Sequence, residues 1–205
     1  MNAGFVALWI AVIAFVLMAT GWQEQLAPDV KTRKLASLSA VVILMLPAPL
    51  WLTLNVHDAQ IVIHGAVLVL LLAGAVSVLS QISVSQALYV VSCVLLLSFL
   101  WGMIRKIYSM DPVFFMLDPV WDGPLACGLL AGLLVMNTKE QFAIVVWCSV
   151  LAEVMNASLQ SSGYSGMIGS AWWWDGFIIA LAAARVVGLL IKGVKIISAR
   201  LGLLQ

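Results

Sequence analysis

Charge is what this 205-residue sequence has least of: ten Lys or Arg, nine Asp or Glu, and a formal net charge of +1. So even a balance gives no basic field, which excludes a nucleic-acid partner. Histidine is scarcer still. His57 and His64 are the only two, so no H-E-x-x-H can be drawn and no metal site is expected. Cys93, Cys127 and Cys148 fall inside apolar segments, at spacings of no metal motif or disulfide framework, and read as three small hydrophobes. No P-loop is present and no cofactor is expected. What fills the chain instead is apolar: 64% of residues are hydrophobic and mean hydropathy is +1.12. Several runs approach the ~20 residues that span a bilayer. The expectation is one all-α domain, 1–205, folded as a polytopic transmembrane helical bundle.

Seven spans are expected, at about residues 3–21, 35–56, 61–79, 87–104, 124–136, 142–159 and 174–193. Nothing basic precedes the first, which argues against a signal peptide with its positive n-region. Pro47 and Pro49 interrupt the second. Each removes a backbone donor, so a helix there should kink or unwind, as a simple bend or as the wall of a cavity. The turn HDAQ leads to the third span, where His64 reads as an interfacial or hydrogen-bonded residue rather than a ligand. The fourth ends in Trp101 and the basic pair Arg105 and Lys106.

Two Asp-Pro steps, Asp111-Pro112 and Asp118-Pro119, then predict an irregular interfacial segment over 107–121, with Phe114, Phe115 and Trp121 against the headgroups. Asp122 is expected to cap the fifth span. That span, at ~13 residues, is short or re-entrant. NTKEQ turns the chain into the sixth span, and the tail KIISARLGLLQ reads as basic, amphipathic and surface-lying.

The seventh span organises the rest. Trp172, Trp173 and Trp174 form an aromatic collar, Asp175 follows, and Lys192 and Lys195 form a basic collar. Gly176, Ala180, Ala184 and Gly188 recur every four residues and fall near one line of a helix, as do Gly128 and Gly132 on the fifth span. Small residues in that register let helices approach closely, although they are also simply common in membrane helices. Arg185 stands between the collars. An arginine at bilayer depth either snorkels or finds a partner.

Orientation follows from counting cations. With seven spans, Lys31, Arg33, Lys34, Lys139, Lys192, Lys195 and Arg200 share one side, against Arg105 and Lys106 on the other. The positive-inside rule then puts the N-terminus outside and the C-terminus in the cytoplasm. In that arrangement Glu153 lies roughly 17 Å from the inner end of its helix and Arg185 roughly 12 Å from the same end. The expectation is a buried Glu153–Arg185 pair, serving either as a binding or relay site or as a device that fixes helix register.

The stretches DPVWDGPLACGLLAGLL, KEQFAIVVWCSVLAEV and SAWWWDGFIIALAAARVVGLL resemble the YphA family, small multi-pass membrane proteins of spore-forming Gram-positive bacteria. The resemblance covers about Asp111 to Leu190, with the pattern W-D-x-F-x-I-A-L-x-x-A-R at Trp174 to Arg185. It implies an integral plasma-membrane protein and brings no activity, ligand or catalytic residue with it.

Enzyme readings are tested one by one. Gly163-Tyr164-Ser165-Gly166 resembles the G-x-S-G of rhomboid proteases, but no histidine follows to act as base. Asp122-Gly123-Pro124-Leu125-Ala126 resembles the start of the CDP-alcohol phosphotransferase signature, but Cys127 stands where that signature has Arg, and the later aspartates are missing. Asp118, Asp122 and Asp175 share the outer side and read as caps and turn formers, or else as a carboxylate site. No enzyme is expected. Two classes stay open: a non-enzymatic scaffold or subunit that packs with other membrane proteins or with itself, and a small-solute carrier or permease subunit using Glu153 and Arg185.

Overall fold

In this computed structural model the elements are, in chain order, α1 (Phe5–Ala19), α2 (Gln23–Leu26), α3 (Thr32–Met45), β1 (Trp51–Val56), β2 (Ala59–His64), α4 (Gly65–Leu79), α5 (Val84–Met110), α6 (Asp122–Leu134), α7 (Thr138–Leu159), β3 (Ser165–Ile168) and α8 (Ala171–Arg200). The structure describes residues 2–56, 59–79, 83–111, 116–159 and 165–200. The expectations for His57, Phe114, Phe115, Gly163, Tyr164 and the tail beyond Arg200 lie outside the described residues. The fold is mostly helical. Three helices are long and apolar enough to cross a membrane, Val84–Met110, Thr138–Ser158 and Ala171–Ala199, and α1, α4 and α6 are shorter apolar helices.

Local chemistry explains the helix ends. Ser83 opens α5 with a capping box, its hydroxyl taking the Gln86 N–H while the Gln86 side chain reaches back to the Ser83 N–H. At the other end Asp111 is extended, with φ −141° and ψ 101°, the conformation favoured by a residue that precedes proline. α5 thus runs on to Met110, through the start of the segment expected to be irregular from 107. α7 begins at Thr138 rather than at 142, and α8 continues past 193 to Arg200.

The stretch 35–56, expected as one interrupted span, is not one helix. α3 stops at Met45, ahead of the two prolines, and the chain leaves as strand β1. β1 pairs antiparallel with β2, Trp51 opposite His64 and Leu54 opposite Ile61. β2 pairs parallel with β3, Ile61 opposite Gly166. Pro47 and Pro49 offer no N–H to continue a helix, and the following WLTLNV and IVIH are rich in residues that suit a pleated surface. His64 holds the break in place: its Nδ1 accepts from the Ala66 N–H at 3.3 Å, leaving Nε2 to donate to the Ala48 carbonyl at 3.0 Å. Gly169, at φ +95°, passes so close that an added Cβ would lie 2.5 Å from His64 Cβ. Only glycine serves both demands. The all-α expectation therefore gives way to a helical bundle with a three-stranded sheet at one end.

Close contacts fix the helix directions. α6 and α8 run parallel, since Pro124 meets Gly176 and Gly132 meets Ala184. α5 runs against α6, with Trp101 at Gly123 and the Tyr89 hydroxyl on the Leu134 carbonyl. α5 and α7 run parallel, Gly102 lying against Ala152 and Met155, and α4 opposes α7, with Gly74 at Val146. Buried side chains from α4 to α8 and from β2 and β3 form one core, including Ile61, Leu97, Ile144, Val146, Phe177 and Ala180. Neither α1 nor α3 contributes a buried residue.

Candidate functional site

Among the described glycines the closest approach joins α6 to α8. A Cβ added to Gly128 would overlap the Ala180 carbonyl, and one added to Gly132 would lie 2.6 Å from the Ala184 carbonyl oxygen and 2.7 Å from Val187 Cβ. At the ends of the seam, Gly176 faces Pro124 and Gly188 faces the Gln141 side chain. The two rows of small residues are spent on each other, backbone against backbone, inside this chain.

Glu153 and Arg185 do not meet, which corrects the expected pair. Glu153, 8% exposed at its side chain, forms a salt bridge with Arg105 of α5. Arg185, 9% exposed, donates from one terminal nitrogen to Gln141 Oε1 at 2.8 Å and from the other to the Gln25 carbonyl at 3.5 Å. Gln141 in turn donates to the Val135 carbonyl at 2.8 Å. Twelve positions of α7 separate Gln141 from Glu153, roughly 18 Å of rise. The depth estimate went astray because α8 does not end near Gly193 and α7 does not begin at Phe142. Arg185 stands level with the first turn of α7; Glu153 stands near the opposite, sheet-bearing end.

Sequence reasoning missed both true partners. The sequence puts Arg105 in a basic flank of the fourth span, whereas five further residues of α5 follow it. The sequence puts Gln141 in the turn NTKEQ, and nothing in its spacing from Gly188, which leaves room for its amide, marks it as a partner. An arginine held by an amide and a carbonyl offers no opposite charge for a search of the sequence to find.

The carboxylates of Asp175, Asp122 and Asp118 are occupied by backbone donors. Asp175, 1% exposed, accepts from Gly4 N–H and Ala7 N–H, each at 2.7 Å. It therefore caps the start of α1 from another helix. Asp122 was expected to cap α6, but it turns backwards instead. It accepts from Met116 N–H at 2.8 Å, Leu117 N–H at 3.1 Å and the Tyr108 hydroxyl at 2.9 Å. Burial pushes its pKa up, and these donors, with Asp118 N–H, together outweigh that and hold it below the ordinary carboxylate value. Asp118 accepts from Val120 N–H at 2.8 Å.

The tryptophan collar is partly an interior feature. Trp172 is exposed, but Trp173 is buried and stacks on Phe177 with centroids 5.3 Å apart, Trp174 meeting both edge-on. Cys93, Cys127 and Cys148 are free thiols buried in the bundle, and Cys127 Sγ lies 3.3 Å from the Leu97 carbonyl. Among the described residues no group of three or more His, Cys, Asp or Glu is placed to hold a metal. The chemistry is that of helix joining: Asp122 and Asp175 bind backbone donors, and Glu153 binds a guanidinium.

Comparison with curated proteins and with solved structures gives no match. A family match, to the YphA-like integral membrane proteins, runs over residues 3–202, nearly the whole chain and well beyond the stretches that first suggested it. The surroundings are thus a lipid bilayer, crossed more than once. This chain belongs to the YphA-like integral membrane protein family.

Proposed function

We propose that this protein is a non-enzymatic structural component of the cell membrane that packs with other membrane chains through its front half. In this reading the seven helices other than α2 each cross, the N-terminus lies outside and the C-terminus in the cytoplasm. Lys31, Arg33, Lys34 and Lys139 stand at the end where α3 and α7 begin, with Lys192 and Lys195 on the last turns of α8. Arg105 and Lys106 stand toward the sheet-bearing end, and the positive-inside rule favours the first end as cytoplasmic.

The observation that carries the reading is the distribution of burial. α6 and α8 set their small residues against each other, whereas α1 and α3 contribute no fully buried residue and leave most of their apolar side chains exposed. On α3, Ala36 and Ala40 are exposed one turn apart, an arrangement that admits a second helix at short range. A carrier built on one Glu153–Arg185 pair is not favoured, because each charge is engaged elsewhere.

Photo-crosslinking residues placed at Leu44 on α3 and Phe15 on α1, 79% and 69% exposed, test this in native membranes. Discrete protein adducts from either position are expected. Lipid adducts alone from both would overturn it.

A further inference from the structure

Arg185 is a permanent cation, 9% exposed, that no contact neutralises. Among the described residues no carboxylate lies within salt-bridge distance of it. Its partners are neutral: Nη1 donates to Gln141 Oε1 at 2.8 Å, and Nη2 reaches the Gln25 carbonyl only at 3.5 Å. Nε is buried with no partner at all. Nε and Nη2 project from the same edge of the guanidinium plane, so the weakly held donor and the unpartnered one lie side by side. Such an edge is the fork that takes two oxygens of one anion. Leaving a buried charged donor unmade is costly, and an oxyanion relieves that cost.

The first turn of α7 brings further donors. Thr138 opens that helix and stands one turn before Gln141 on the same face. It is 8% exposed, and its Oγ1 is a second buried atom without a partner. Its N–H is one of the orphan donors of a helix start, where the dipole favours negative charge. Asp29 Oδ2 accepts that N–H at 3.3 Å, and the Asp29 charge also acts on Arg185. Glu140, in the same turn of α7, is turned to Asn137 Nδ2 at 3.5 Å. Gln25 and Asp29 are exposed, so the stretch between α1 and α3 lies over Arg185 and Thr138 as a strap. Both of its ties are long for hydrogen bonds.

We propose that Arg185 and Thr138 at the start of α7 form a binding site for a terminal phosphate group, with the Asp29 carboxylate as its built-in competitor. The choice of phosphate follows from counting oxygens. Inorganic phosphate or a phosphomonoester can set two oxygens on the Nε–Nη2 edge and a third on the Thr138 N–H and hydroxyl. A carboxylate has only two, and Asp29 shows the consequence: it serves Thr138 and leaves Nε of Arg185 unpartnered. Entry of the group displaces Asp29 and the Gln25 carbonyl, the two weakly tied members of the strap. A free phosphate and a lipid headgroup such as that of phosphatidic acid carry the same group. The site does not rest on the packing role of α1 and α3.

Thermal melting of the detergent-solubilised full chain tests this, titrated with inorganic phosphate and separately with dihexanoyl phosphatidic acid at constant ionic strength. The expected result is a melting temperature that rises with ligand concentration. In Asp29→Asn, which lacks the competing charge, the rise should begin at roughly tenfold lower concentration. It should be weaker in Thr138→Val and lost in Arg185→Gln. A rise with phosphatidic acid alone assigns the group to a lipid headgroup, and a rise with inorganic phosphate assigns it to the free ion. No rise with either compound, in both the unmodified chain and Asp29→Asn, overturns the site. So does a rise undiminished in Thr138→Val. An equal rise with succinate at the same ionic strength overturns the choice of phosphate. Should Arg185→Gln fail to fold, Asp29→Asn and Thr138→Val still decide the outcome.

Discussion

From Trp173 to Gly188, α8 sinks residue after residue into its neighbours; along α3, from Thr32 to Met45, none is buried. Both stretches fit parts of membrane spans, and hydropathy alone does not separate them. What does is the size of the side chains at the contact. Where Gly128 and Gly132 meet Ala180 and Ala184, backbones approach closely and many neighbours are packed at once. Where α3 ends at two prolines, the chain changes to strand and the helix is left on the outside. The back half is held by shape; α1 and α3 lie on the outside, α3 packed through partly buried Leu38 and Val42, α1 tied by Asp175, with His64 holding the Pro47–Pro49 turn.

The hardest way to break this contrast is to fill the seam. Gly132→Leu would press a side chain onto the Ala184 carbonyl and Val187, and rigid backbone on the far side leaves little room to yield. A loss of about 3 kcal/mol or more is expected, read as a collapse of the folded peak in detergent gel filtration. Removing the cation beside Glu153 comes next. Arg105→Ala should cost about 2 kcal/mol in chemical denaturation, less than a fully buried pair would because Arg105 is nearly a third exposed. Adding Glu153→Gln should recover part of that loss, and strict additivity of the two would show that they do not interact.

A change at the joint between α8 and α1 should stay local. Asp175→Ala removes both acceptors at the start of α1 and should cost about 1 kcal/mol. The expected signature is faster proteolysis ahead of residue 20, with the core melting nearly unchanged. A drop in core melting as large as that of Gly132→Leu would dissolve the distinction between the halves. The smallest effect is acid sensitivity at Asp122. Its folded pKa lies below the ordinary value, so its contribution is full at neutral pH, declines as pH falls below the ordinary aspartate pKa, and is gone beneath the folded pKa. Asp122→Asn should lower stability at pH 7 and flatten this part of the acid profile.

The same contrast separates what was legible in the sequence from what was not. Four-residue spacing marks a line on a helix wherever it occurs, so Gly128, Gly132 and the row from Gly176 to Gly188 could be singled out without coordinates. The sheet could not, because the apolar runs WLTLNV and IVIH add to a hydropathy window whether they are strand or helix. Pro47 and Pro49 are the signal, but a kinked or unwound span, as a bend or a cavity wall, accounts for two prolines as well as a change to strand does. The site charges failed differently. Depth was reckoned from helix ends, and ends are where sequence reasoning is weakest: α8 overran its expected limit and moved Arg185 from Glu153 to Gln141.

The claim that shape holds the back half is tested most directly by one substitution made at two glycines of similar helical setting. Gly128 would drive an added methyl into the Ala180 backbone, whereas Gly193 has nothing within 4 Å of the same atom. Thermal melting in detergent of Gly128→Ala and Gly193→Ala should diverge: Gly128→Ala melts well below the unmodified chain, and Gly193→Ala melts at or above it, since alanine favours a helix over glycine by about 1 kcal/mol. Equal melting of the two, or a more stable Gly128→Ala, would contradict the account.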